Sequence, residues 1–238
     1  MRLLLALGLA VFAMACQSRE RTIDSESRYT PPASHAVESG ALLEMDMDEA
    51  WARLAQSLEA EALQVLAADK DAGFYVVELL PRKPARPVRD FVDCGAVDRS
   101  VTIEAQSERF AYRIADPSQD RVVESLPDHF VVRDLDRAVD LKVRATLFLK
   151  PVGEMRTQLT LNARYEVIVK ISGRSQQIPR DGGVDPLPAE PLDPERRVAA
   201  FTSFAEGAFS ESDSIRCRAT GEVERIMLAL AEAGTAIR

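Results

Sequence analysis

Few side chains in this sequence could do covalent or acid–base chemistry: three cysteines, Cys16, Cys94 and Cys217, and two histidines, His35 and His129. Cys94 and Cys217 stand in DFVDCG and SIRCRAT, each a strand-like stretch beside a turn. In an oxidising compartment such a pair is expected as a disulfide, the alternative being two buried thiols. Zinc would need more imidazole or thiolate ligands than His129 can add, so no metal and no other cofactor is expected. The sequence has no G-x-S-x-G elbow, no H-E-x-x-H pair and no phosphate-cradling glycine loop. DGGVD lacks the alternating acids of a calcium loop. Asp116, Asp120, Asp134 and Asp136 could pair as acid and base, but nothing selects them from 38 acidic residues. The expectation is a protein without catalysis.

Cys16 raises a different chemistry. Leu3 to Ala15 is an unbroken apolar run behind Met1 and Arg2, and polar QSRE follows the cysteine directly. A bilayer span takes about 20 apolar residues, so this run suits an export signal instead. Ala13-Met14-Ala15 fits ordinary secretory cleavage. Ahead of Cys16 it also resembles the lipobox of bacterial lipoproteins, whose cysteine receives diacylglycerol and a fatty chain such as palmitate. The departures are Ala13 and Met14, where that family prefers Leu and a small residue. An odd cysteine demands an explanation, and lipidation of Cys16 leaves an even pair. Residues 1–15 are thus expected as a lipoprotein signal peptide and 16–43 as a lipidated, flexible tether. The tether composition, rich in Ser, Pro and charge, cannot bury a core. His35 falls within it and is a poor candidate for chemistry.

The chain's formal charge is −8, and −9 once Arg2 leaves with the signal. An acidic balance argues against nucleic acid and against electrostatic docking on anionic lipid, so membrane attachment rests on the acyl chains of Cys16. Gln17 adds a direction. Among similar lipoproteins an Asp at that position favours inner-membrane retention, so an outer-membrane, periplasm-facing anchor is expected.

The rest, residues 44–238, reads as a single α+β domain. Asp46 and Glu49 fit a capping box, and Trp51, Leu54, Ala55 and Leu58 form one apolar stripe. ALQVLAAD and GFYVVELL flank an Asp/Gly turn as a hairpin, and SVTIEA and RFAYRI form another. From Val139 to Ile171 odd positions are apolar and even ones polar along two long arms. Period two means one buried face, and opposed residues must share a face. The numbers of paired residues must therefore sum to an even value, and a loop of three or five residues near Gly153 is expected. Phe148 and Ile168 break the wet face and read as a second apolar patch. The Pro-rich stretch 172–197 is expected as a loop, either a mobile insertion or a binding arm. Thr220 is a good N-cap for a last helix with Val223, Ile226, Met227 and Leu230 as its buried stripe, and with Glu222 and Glu224 at the positive end of its dipole. Two amphipathic helices against one face of a mostly antiparallel sheet is the simplest packing.

The stretch DEAWARLAQSLEAEALQVLAADKDAGFYVVELL resembles the repeating element of BamC-like lipoproteins, accessories of the outer-membrane β-barrel assembly machinery. Ala50, Trp51, Leu54, Leu58, Val65, Asp69, Gly73, Tyr75 and Val76 carry the likeness, which covers under a seventh of the chain. The resemblance implies a helix-grip-like fold on an envelope lipoprotein, with a role in protein assembly. Departures are the single domain, the cysteine pair and the short segment ahead of the domain. The expected function is a non-catalytic, membrane-anchored protein-interaction module with an envelope protein partner. The alternative is a carrier of a lipid or other apolar ligand held between sheet and helix.

Overall fold

The computed structural model describes residues 20–61, 63–79, 86–209 and 215–233. The signal peptide expected at 1–15 and the lipidation expected at Cys16 lie outside the described residues. In chain order the elements are β1 (Ile23–Thr30), β2 (Gly40–Leu43), α1 (Met47–Ala60), β3 (Gln64–Asp69), β4 (Phe74–Leu79), β5 (Val92–Asp93), β6 (Ala96–Ile103) and β7 (Gln106–Arg113). They continue as β8 (Ser118–Ser125), β9 (His129–Gly153), β10 (Arg156–Pro179), β11 (Glu190–Pro191), β12 (Glu195–Thr202), β13 (Gly207–Ala208), β14 (Arg216–Ala219) and α2 (Glu222–Ala233). All pairings are antiparallel, and the class is α+β as expected.

The β9–β10 hairpin is the spine. Leu149 opposes Leu159, Leu147 opposes Leu161 and Val143 opposes Tyr165, so odd numbers do share a face. The means differ from a three- or five-residue loop. Glu154 and Met155 make a two-residue connection, and a bulge at Val152 absorbs one residue before Pro151 meets Thr157. Without that bulge one arm would be turned inside out. β4, with β3 outside it, flanks β9 near the turn, and β8 flanks it further along. β2, β12 and β11 line the other side of β10.

Both helices pack on the odd face. Leu54 and Leu58 of α1 and Val223, Met227 and Leu230 of α2 join Leu147, Leu159, Leu161 and Val167 in one core. Each such fully buried aliphatic side chain contributes about 1.5–3 kcal/mol. Trp51 stacks on Tyr75 at 4.0 Å between centroids, and Tyr165 on Phe201 at 5.3 Å. Asp46 Oδ1 accepts from the Glu49 amide at 2.8 Å, as expected of the cap. Glu49 itself does not complete the box but binds Arg53 at 2.7 Å. α2 starts one residue later than expected: the Arg225 amide bonds Gly221 O, while the Thr220 hydroxyl donates chiefly to Asp90 O at 2.7 Å.

The hairpin outruns this core, and its far end is covered by other elements. There Phe130, Val132 and Ile178, all even-numbered, pack with Ile23, Ile103 and Val123 in a second, small cluster. The sheet β1–β6–β7 supplies this cover.

Three expectations need correction. Residues 20–43 are not a flexible tether: β1 pairs along its whole length with β6, and β2 pairs with β10. β1 buries only Ile23, so a strand held by backbone hydrogen bonds left no hydrophobic period to read. The stretch 172–197 is not wholly a loop, because β10 runs on to Pro179 and β11 and β12 occupy 190–191 and 195–197. Its turns fold back on β10 through Leu187 N to Gln177 O and Leu192 N to Gly173 O, both 3.0 Å. Gly173 permits the close pairing, since a Cβ there would lie 1.9 Å from Asp134 O. Finally, Phe148 and Ile168 do not share a patch. Phe148 opposes Thr160 and lies 6.4 Å from Phe74, whereas Ile168 is buried opposite Asp140 and Val198.

Candidate functional site

Cys94 and Cys217 are joined by a disulfide. β5 and β14 pair through Asp93–Arg218 and Val92–Ala219, which brings the two fully buried cysteines together within the main core. β1 ends at the same junction. The Tyr29 hydroxyl donates to Cys94 O at 3.2 Å and accepts from the Arg216 amide at 3.1 Å. Gly95, at φ 77°, turns so tightly that a Cβ would sit 2.2 Å from Thr30 O. The crosslink thus fastens the first strand, the middle of the chain and the segment leading into α2.

The second feature is a buried carboxylate. Glu224, in the first turn of α2, is fully buried. The Tyr165 hydroxyl reaches both of its oxygens at 2.9 Å, and Ser203 Oγ donates to Oε1 at 2.6 Å. Ser203 Oγ also accepts from the Ala163 amide at 2.8 Å. Burial first, and the charge of Glu224 second, hold the Tyr165 hydroxyl far above the ordinary phenol range. The sequence reading placed Glu224 on the helix dipole and missed its burial. A signal existed: Glu224, Met227, Leu228 and Ala231 recur at i, i+3, i+4 and i+7, an apolar stripe with one acid in it. Beside the cluster runs a groove of about 320 Å³ that includes His35, Ser203, Phe204, Glu206 and Arg218. His35, expected in the tether, therefore lies in the fold. Ser203 commits its hydroxyl to Ala163 and Glu224 and is 6% exposed, which makes it a structural hydroxyl.

A third cluster sits where β6 and β7 meet β8 and β9. Asp120, 4% exposed, accepts from the Tyr112 hydroxyl at 2.8 Å and from its neighbour's amide, Arg121 N, at 2.9 Å. Arg99 approaches it at 3.5 Å, and the Arg137 guanidinium lies 5.2 Å above the Tyr112 ring. Burial pushes Tyr112 up to about 12. Arg99 Nε, Arg137 Nε and Ser118 Oγ are buried without a partner, places where ordered water would complete the network.

The other acids singled out in the sequence do not converge on Asp120. Asp116 binds Arg89 at 2.8 Å, Asp134 binds Arg121 at 2.6 Å and Asp136 accepts from Gln119 at 3.1 Å. His129 sits at the start of β9, half covered, with Nδ1 2.7 Å from Asp128, and this contact pulls the Asp128 carboxyl below its usual range. Among the described residues no three His, Cys, Asp or Glu side chains gather as a metal site.

Exposed apolar side chains gather at the hairpin turn. Phe148, on the sheet face away from the helices, is 48% exposed beside Phe74, while Val152, Met155 and Leu42 are 47%, 59% and 46% exposed at the same end. No family model, no curated protein and no solved structure matches this chain.

Proposed function

We propose that the chain is a non-catalytic lipoprotein of the bacterial envelope, anchored through acyl chains on Cys16, that presents its α+β module to a protein partner. The observation that carries this reading is the apolar end of the sheet. Phe148, Val152, Met155 and Leu42 are all about half exposed or more, while the rest of that face carries charged pairs such as Glu78–Arg144 and Asp140–Lys170. An apolar patch rimmed by polar residues suits association with another protein. The Cys94–Cys217 disulfide fits an oxidising compartment. A helix-grip-like description is part of the proposal, supported by α1 leading into the β3–β4 hairpin while lying over the sheet. Outer-membrane placement and a role in β-barrel assembly rest on the lipobox, Gln17 and the BamC-like stretch.

The test is a photoreactive residue at position 148 in the native envelope, with position 162 on the same face as control. A discrete protein adduct at 148 that is absent at 162 supports the reading, and equal labelling at both sinks it. The carrier alternative has less behind it: a groove of about 440 Å³ beside Gly73 mixes Met47, Leu149 and Pro151 with the charged Asp48, Lys70, Asp71 and Lys150, whereas a site for an apolar ligand is lined mostly by apolar side chains.

A further inference from the structure

The chain enters the fold at one extreme of the hairpin, and that position is fixed by several bonds. Glu20 bridges to Asp181, and the Arg21 amide donates to Arg180 O at 2.8 Å. The Arg21 guanidinium holds the carbonyls of Pro179 and Val184 at 3.3 and 2.8 Å. Arg180 in turn donates to Leu126 O at 2.9 Å and lies 4.3 Å over the Phe130 ring. The segment around 20–21, the turn at 126–128 and the loop at 180–187 are therefore one end cap. Within it Val184 and Leu187 are 49% and 53% exposed.

Resting on the lipid-anchor reading above, we infer that this end cap sits directly on the bilayer surface and that the hairpin turn points away from it. Only four peptide steps separate Cys16 from Glu20, so at about 3.5 Å per residue the fold begins within roughly 14 Å of the acylated cysteine. The headgroup layer itself is about 5–8 Å deep on each side of the hydrocarbon. No slack remains for the domain to tumble at a distance. The cap carries Glu20, Asp128, Asp181 and Asp185 against Arg21 and Arg180, so charge does not draw it to anionic lipid. Val184 and Leu187 are the side chains that would enter the interface. The apolar patch at Phe148 and Met155 then stands at the opposite end of strands of 24 and 25 residues, up to roughly 75 Å away at about 3.2 Å per residue.

The experiment uses the full acylated protein, first verified by mass, in vesicles of phosphatidylethanolamine and phosphatidylglycerol. Leu187→Cys, Val184→Cys and Met155→Cys each receive an environment-sensitive fluorophore; Cys16 is acylated and the other two cysteines are bonded, so only the new thiol reacts. Quenching by a lipid-borne quencher is expected to be several-fold greater at 184 and 187 than at 155, and little changed by salt. Equal quenching at all three positions of an acylated protein overturns the orientation while leaving the anchor intact. An unacylated N-terminus overturns the anchor reading and this inference with it. Slower amide exchange over 180–187 in vesicles than in detergent would support the same contact without any substitution, and unchanged exchange would count against it.

Discussion

Raising the pH tests the packing around the tyrosines. All four, Tyr29, Tyr75, Tyr112 and Tyr165, are held above the ordinary value of 10.0. Burial is the leading cause each time, and Tyr75 and Tyr112 are pushed up to about 12. A raised pKa means that the fold keeps a proton the unfolded chain releases. The stabilisation is complete below pH 10 and is lost as pH rises toward the folded value. Between pH 10 and 12 each such tyrosine removes about 1.4 kcal/mol per pH unit, so Tyr75 and Tyr112 together remove roughly 3. Over those two pH units the loss reaches about 5–6 kcal/mol, enough to unfold a chain at the lower end of the typical range of about 5–15 kcal/mol and to lower the urea midpoint of a more stable one. Phenolate absorbance and circular dichroism recorded together in a pH titration should change as one transition. Tyr165→Phe should lower stability at neutral pH, because Glu224 loses a hydrogen bond of about 1.5–3 kcal/mol, yet soften the alkaline slope. Phenolate absorbance rising with a midpoint at 10 in a chain whose circular dichroism stays native would refute this account of the core.

Three further outcomes are expected. Replacing both cysteines, Cys94→Ala with Cys217→Ala, opens a crosslink across 123 positions and should cost about 5 kcal/mol by loop-closure entropy, read as a lower urea midpoint; a loss under about 1 kcal/mol would show that the crosslink constrains little. Gly173→Ala drives a methyl into Asp134 O and should lower the melting temperature by several degrees, whereas an unchanged melt would mean that the pairing there relaxes freely. Limited proteolysis should spare residues 23–30, paired throughout with β6, and rapid cleavage inside them would restore the flexible tether.

What could be read from the sequence was whatever wrote a period into it. The alternation from Val139 to Ile171 gave the hairpin and its buried face, and the stripes of α1 and α2 gave the helices that cover it. Parity fixed which face each arm buries, though neither the individual partners nor the device that satisfies it, since a bulge at Val152 and a longer loop serve parity equally. β1 was invisible because seven of its eight side chains face outward or nearly so. The strand within 172–179 was hidden by polar residues and by Gly173, which looks like a breaker and in fact lets the strand lie against the Asp134 carbonyl where a Cβ would not fit. Of the site residues, the Cys94–Cys217 pair could be reached by counting, whereas the Glu224–Tyr165–Ser203 cluster joins three distant segments and showed only as one acid on an apolar stripe.

On the proposed envelope location, the crosslink bears on how the chain matures. With Cys16 capped by lipid, as proposed, two thiols remain, and two thiols admit one pairing. An exported chain of this kind has no scrambled isomer to repair. It needs an oxidase once and an isomerase never, and loss of a disulfide isomerase from the cell should leave its yield unchanged.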